Sequence, residues 1–133
     1  GLHVEADSLG SADAFIVADA LVAAMKEESF DLVLTGLQSD DQGHAQMGVI
    51  LAERLGIPHS TIIMDVKIKD RALRIKRELE GGWFQWISMD LPALLTIQSA
   101  VPLLREVLIN VYRPLRIALK LAQYRHGKNV LLP

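Results

Sequence analysis

The sequence predicts an α/β fold: a parallel-type three-layer core with an antiparallel hairpin extension. Three observations carry this. Residues 31–56 run as an apolar strand, a polar loop and an amphipathic helix. Residues 61–64 and 93–97 are short apolar runs, as expected of strands buried on both faces. Between those runs the period changes to two, which marks half-exposed strands of a hairpin.

The elements follow in order. His3 and Val4 read as the end of a strand. Ser11 is an N-cap candidate for a helix that runs to about Glu28. Phe15, Ile16, Val17, Leu21, Val22 and Met25 make that helix apolar on most sides, so it is expected to be well covered. Leu32, Val33 and Leu34 form the next strand, and Gly36 is expected to let the chain turn sharply after it. Ser39, Asp40, Asp41, Gln42 and Gly43 break any period. A helical stripe then starts near His44 and runs through Met47, Ile50, Leu51 and Leu55, until Gly56 and Pro58 stop it. Residues 61–64 form a second buried strand. Val66 and Ile68 alternate with Lys67 and Lys69, Leu73 and Ile75 with Arg74 and Lys76, and Phe84 with Trp83 and Gln85. Asp70–Arg71 and Gly81–Gly82 are the turn signals, the second favouring a primed hairpin turn. Residues 93–97 return to a buried strand.

This order puts a polar loop and a helix N-terminus at the carboxyl end of a strand, where open α/β sheets bind nucleotides. The free N–H groups of a first helical turn favour an anion, typically a phosphate. Gly43 and Ala45 suit a close backbone approach to a ligand. His44 either donates to a phosphate or is a solvated helix-start residue. Asp41 either orients loop amides around a phosphate or is only an Asx-turn residue, since its own carboxylate would repel the anion.

Two segments resemble the β subunit of electron-transfer flavoproteins. The first carries Gly36, Gln38, Asp41, Gln46 and Gly48, then Ala52, Glu53, Leu55 and Gly56. The second carries Ile75, Arg77, Glu80, Gly81, Gly82, Gln85, Ile87, Pro92, Leu94, Leu95 and Thr96. The resemblance covers residues 1–99. It implies a Rossmann-like adenine-nucleotide-binding domain that is incomplete at its N-terminus, holding AMP or, in a bifurcating branch, a second FAD. It implies nucleotide-binding roles for Gly36, Gln38, Asp41, Gln42, Gly43, His44, Ala45 and Gln46. Gln46 is expected in the first helical turn, donating to phosphate or ribose. The implied partners are an α subunit that holds most of an FAD site, acyl-CoA or other dehydrogenases upstream, and a membrane quinone reductase downstream. Such a heterodimer serves fatty acid oxidation in the cytoplasm of bacteria or the mitochondrial matrix. The protein holds and tunes a cofactor that does the redox chemistry, so no catalytic residue is expected. The rival readings are a stand-alone adenine-nucleotide module and an inactive fragment.

Residues 100–133 lack the family's motifs and read as a basic helical tail of unclear origin. Leu104, Leu108, Val111 and Leu115 recur at helical spacing, with Arg105, Arg113, Arg116 and Lys120 opposite and a break at Pro114. The tail is either a surface helix with a solvated basic face or a helix for a membrane surface or acidic partner. Charge marks the same boundary. Residues 1–99 hold 8 Lys/Arg against 15 Asp/Glu, a balance of -7, and residues 100–133 hold 6 against 1, a balance of +5.

Other chemistry finds little footing. With no cysteine there is no disulfide and no thiolate metal site. His3, His44, His59 and His126 lack metal-ligand spacing. Neither a Walker loop nor a Gly-x-Gly-x-x-Gly turn is present. No apolar run is long enough to span a bilayer. Lys67, Lys69, Arg71, Arg74, Lys76 and Arg77 read as the solvated face of strands rather than a nucleic-acid site. Trp83, Phe84 and Trp86 read as strand packing or a subunit interface rather than a flavin stack.

Overall fold

The structure is a computed structural model that describes residues 4–5, 12–38, 43–98 and 117–120. The elements are α1 (Ala14–Met25), β1 (Leu32–Gly36), α2 (Met47–Leu55), β2 (His59–Lys69), β3 (Ala72–Glu78), a 3-10 turn (Glu80–Gly82), β4 (Phe84–Asp90), β5 (Ala93–Ile97) and β6 (Ile117–Lys120). They build one six-stranded sheet in the order β4-β3-β2-β5-β1-β6. β6, β1, β5 and the first half of β2 are parallel, whereas β2–β3 and β3–β4 are antiparallel. The expected α/β class with an antiparallel extension is therefore what forms, while of the expected three layers the described residues show the sheet and the helices on one of its faces.

Alternation along each parallel strand divides the core. Val33 of β1 and Leu94 of β5 face the helices and pack with Ala18, Leu51 and Ala52. Leu32, Leu34, Leu95 and Ile97 face the other way and join Ile63, Val66, Leu73 and Ile75 of the extension. Every residue of β5 is buried, as its unbroken apolar run requires. Both described helices lie on the Val33–Leu94 face.

Several boundaries differ from expectation, each for a local reason. The N-cap of α1 is Asp13, whose carboxylate accepts from the N–H of Ile16 at 2.9 Å. Ser11 and His3 lie outside the described residues, and Val4 belongs to no strand. α1 ends at Met25, before Lys26, Glu27 and Glu28. It is also less covered than its composition implies: Ala18 is its one buried residue, and Phe15 and Ile16 are each 53% exposed. An apolar stripe that circles a helix cannot all face the sheet.

The hairpin turns exchange roles. Asp70 and Arg71 both have positive φ (51° and 66°), and the pair Lys69–Ala72 closes over them, as in a two-residue primed turn. The Gly81–Gly82 signal instead belongs to a longer loop, closed by the Leu79 N–H donating to the Trp83 carbonyl at 2.8 Å. Arg71 Nη2 donates to Asp31 Oδ1 and ties the first turn to the start of β1.

Residues 61–64 and 66–69, expected as separate strands, form one strand of 11 residues. Its start pairs with β5, its end pairs with β3, and the register shifts between Ser60 and Ile63. Ile62 sits in that shift with φ 58°, and its N–H donates to Thr96 Oγ1 at 3.3 Å. In the tail, Ile117–Lys120 is a strand parallel to β1 rather than part of a helix. The rest of the expected tail helix, with its break at Pro114, lies outside the described residues.

Candidate functional site

β1 and β5 end side by side, with Thr35 paired to Thr96 and Gly36 to Ile97. The chain bends at Leu37, directly after Gly36, as expected, but Gly36 itself stays in the strand. The Leu37 N–H donates to the Ile97 carbonyl at 3.1 Å, so the ladder runs one residue further. Gly36 has no positive φ, and a Cβ built on it meets nothing within 4 Å. Among the described residues nothing stands against its bare backbone at the carboxyl end of the sheet.

Gln38 is exposed at the start of the loop, and Asp41 and Gln42 lie outside the described residues. At Gly43 the backbone is left-handed, with φ 62°. His44 follows, exposed. Ala45 has φ 53°, a region that disfavours a Cβ by about 1–2 kcal/mol. Gln46 is then right-handed (φ -100°, ψ -25°) and is the N-cap of α2, one residue before the helix rather than in its first turn. Its side chain makes no capping bond, so its amide stays available to a ligand. A left-handed residue followed by a right-handed one turns successive N–H groups to one side, a concavity suited to anions. The first N–H groups of α2, which have no intrahelical acceptor, continue that row.

Gly48 sets how close this helix start comes to the sheet. A Cβ there would lie 2.4 Å from Thr96 Cγ2 and 2.6 Å from Thr35 Oγ1. Only a residue without a side chain lets α2 rest on the two threonines. The Thr35 hydroxyl is buried and has no hydrogen-bond partner among the described residues. A buried hydroxyl left unpaired is costly, and it lies directly beneath the helix start.

Of the expected site residues, Gly36 ends β1, Gln38 follows it, and Gly43, His44, Ala45 and Gln46 lead directly into α2. Sequence reasoning used Gly48 only to fix register and did not single out Thr35. The available signal was a glycine in a first helical turn following a strand that ends in Thr-Gly, the close-packing role of glycine in nucleotide-binding βα turns. Among the described residues no cluster of His, Asp or Glu is arranged to hold a metal, and no helix is long and apolar enough to cross a membrane.

Comparison with known proteins follows the same residues. The family model of the electron transfer flavoprotein domain matches residues 1–106. The electron transfer flavoprotein subunit beta of Methylophilus methylotrophus is 38% identical over 97 residues, which is 71% of this chain and 37% of the relative. The subunit beta of Bacillus subtilis is 34% identical over 95 residues, again 71% of this chain and 37% of the relative. Subunit CarD of the caffeyl-CoA reductase-Etf complex of Acetobacterium woodii is 38% identical over 90 residues, 67% of this chain and 34% of that protein. The chain matches little more than a third of the length of these relatives. On the family match and the fold it accompanies, the chain belongs to the electron transfer flavoprotein domain family, among relatives that are its β subunits.

Proposed function

We propose that this chain acts as an electron-carrier subunit of the β type, holding the phosphate of an adenine nucleotide at the β1–α2 loop. The observation that carries the reading is the left-handed then right-handed step at Ala45–Gln46, leading into a helix start pressed onto Thr35 and Thr96 by Gly48. Loop and helix N–H groups would bind the phosphate, Gln46 would add a side-chain donor, and the bare Gly36 would leave room for it. These residues fit AMP and equally the AMP half of FAD. The cofactor supplies the redox chemistry, and this chain contributes binding and orientation.

Family membership implies a partner subunit of the same electron transfer flavoprotein. In the proposed reading that partner is an α subunit with most of an FAD site, fed by acyl-CoA or other dehydrogenases and drained by a quinone reductase. This chain then needs no catalytic acid, base or nucleophile. The double variant Asp41→Ala/Gln46→Ala tests the loop assignment: it should lose AMP affinity, and unchanged affinity in a folded variant sinks the assignment.

A further inference from the structure

The outer face of β2, β3 and β4 carries a cluster that nucleotide binding does not use. Register sets Lys67 directly opposite Arg74, and Lys76 opposite Trp86. Lys69 lies on the same face, two residues beyond Lys67. Lys67 Nζ is 5.3 Å and Arg74 Cζ 5.0 Å from the centroid of the Trp86 ring, and Lys76 Nζ is 4.0 Å from that of Phe84. The ion pairs of the described residues are Arg54–Asp19 and Arg71–Asp31. Asp65 stands opposite Lys76 in the register, but none of these four cations forms an ion pair among the described residues.

The Lys67–Arg74 opposition is unfavourable on its own. Like charges directly opposite on neighbouring strands repel, and the exposed Trp86 ring offsets this only in part. Among the described residues nothing pairs with the outer edge of β4. β4 is the outermost strand on its side of the sheet, yet its seven residues hold one charge, Asp90, and no proline. Phe84 and Trp86 of β4 and, just before it, Leu79 and Trp83 are all exposed, Trp83 by 74%. A cation pair braced on tryptophan, with an aromatic rim, is the composition of a binding hot spot.

We propose that this face docks an acidic partner protein. Its carboxylates would bridge Lys67, Lys69 and Arg74, and its apolar rim would cover Trp83 and Trp86. Charge selects this occupant over a nucleic acid. Asp65, Glu78 and Asp90 stand on the same face around the cations, so a continuous phosphate chain would meet repulsion on leaving the cluster. A partner protein can set its carboxylates over Lys67, Lys69 and Arg74 alone and keep them away from these three acids, which a uniform phosphate chain cannot do. The proposal is independent of the nucleotide reading.

The test titrates the full chain with a fluorescein-labelled peptide carrying one Glu-Leu-Glu group flanked by Leu and Ser, and in parallel with a thymidine oligonucleotide. The peptide should bind, more weakly as salt rises. Lys67→Gln/Arg74→Gln should weaken it by about tenfold or more, since it removes two charge contacts, and Lys26→Gln, just past the end of α1, should leave it unchanged. Thermal melting of free Arg74→Gln supplies a readout that a purely structural role would move the other way. Relief of the like-charge pair should hold or raise Tm, whereas a cation kept only to support the fold would give a lower Tm. Absent peptide binding, equal weakening by Lys26→Gln, tighter oligonucleotide binding, or a fall in Tm would each overturn the proposal.

Discussion

Gly48 of α2 rests directly on Thr96 of β5, close enough that a Cβ would approach Thr96 Cγ2 to 2.4 Å. Threonine is short and stiff at χ1, so it cannot swing aside as a longer side chain would. Gly48→Ala should therefore lift the start of α2 away from the sheet. The expected cost is about 1–3 kcal/mol, the range for overpacking a well-packed contact. It should outweigh the gain in helix propensity from replacing glycine, about 1 kcal/mol. Urea denaturation decides this: a variant as stable as the parent would show that the contact is slack.

Thr96 has a second task. Its hydroxyl accepts from the N–H of Ile62, where the register of β2 against β5 shifts. Ile62 is β-branched and has a positive φ, a conformation it holds only because neighbours over-determine it. Thr96→Val keeps the shape and removes the acceptor. It should cost about 1–3 kcal/mol, the penalty for a part-buried donor left unpaired, and amide exchange at Ile62 should quicken. Unchanged exchange at that position would show that the bond does not hold the bulge.

At the β2–β3 turn, Arg71 combines a left-handed backbone with the tether to Asp31. Substitution separates the two. Arg71→Ala and Arg71→Gly both lose the tether, but only glycine is free of strain at φ 66°. The glycine variant should be the more stable of the two by about 1 kcal/mol. Arg71 is 63% exposed, so the ion pair itself contributes little. Arg71→Gly should accordingly melt close to the parent. Equal melting of the two variants would contradict the left-handed assignment.

Much of this fold is legible because burial writes itself into period. Residues 32–34 and 93–97 are unbroken apolar runs, and both became central parallel strands. Lys67 to Lys76 alternates and became a hairpin. What stayed hidden depends on contacts between distant segments. Nothing local marks Ile62 as a bulge, because its partner is Thr96, 34 residues away. Gly81–Gly82 looks more turn-like than Asp70–Arg71, yet it is the latter that makes the tight turn, with Arg71 held by Asp31. In the site, the loop after β1 was readable from its composition. Gly48 was not singled out, since its role appears only when Thr35 and Thr96 are seen beneath it.

The central claim is that the loop from Gly36 to Gln46, with the start of α2, holds a nucleotide phosphate. Calorimetric titration of the purified chain with AMP, FAD and adenosine tests it most directly. The account predicts AMP binding at about micromolar Kd, worth about 8 kcal/mol, and much weaker binding of adenosine, which lacks the phosphate. FAD binding tighter than AMP would assign the flavin dinucleotide as the natural occupant of the same loop. A chain folded by circular dichroism that binds neither nucleotide, or binds adenosine as well as AMP, would contradict it.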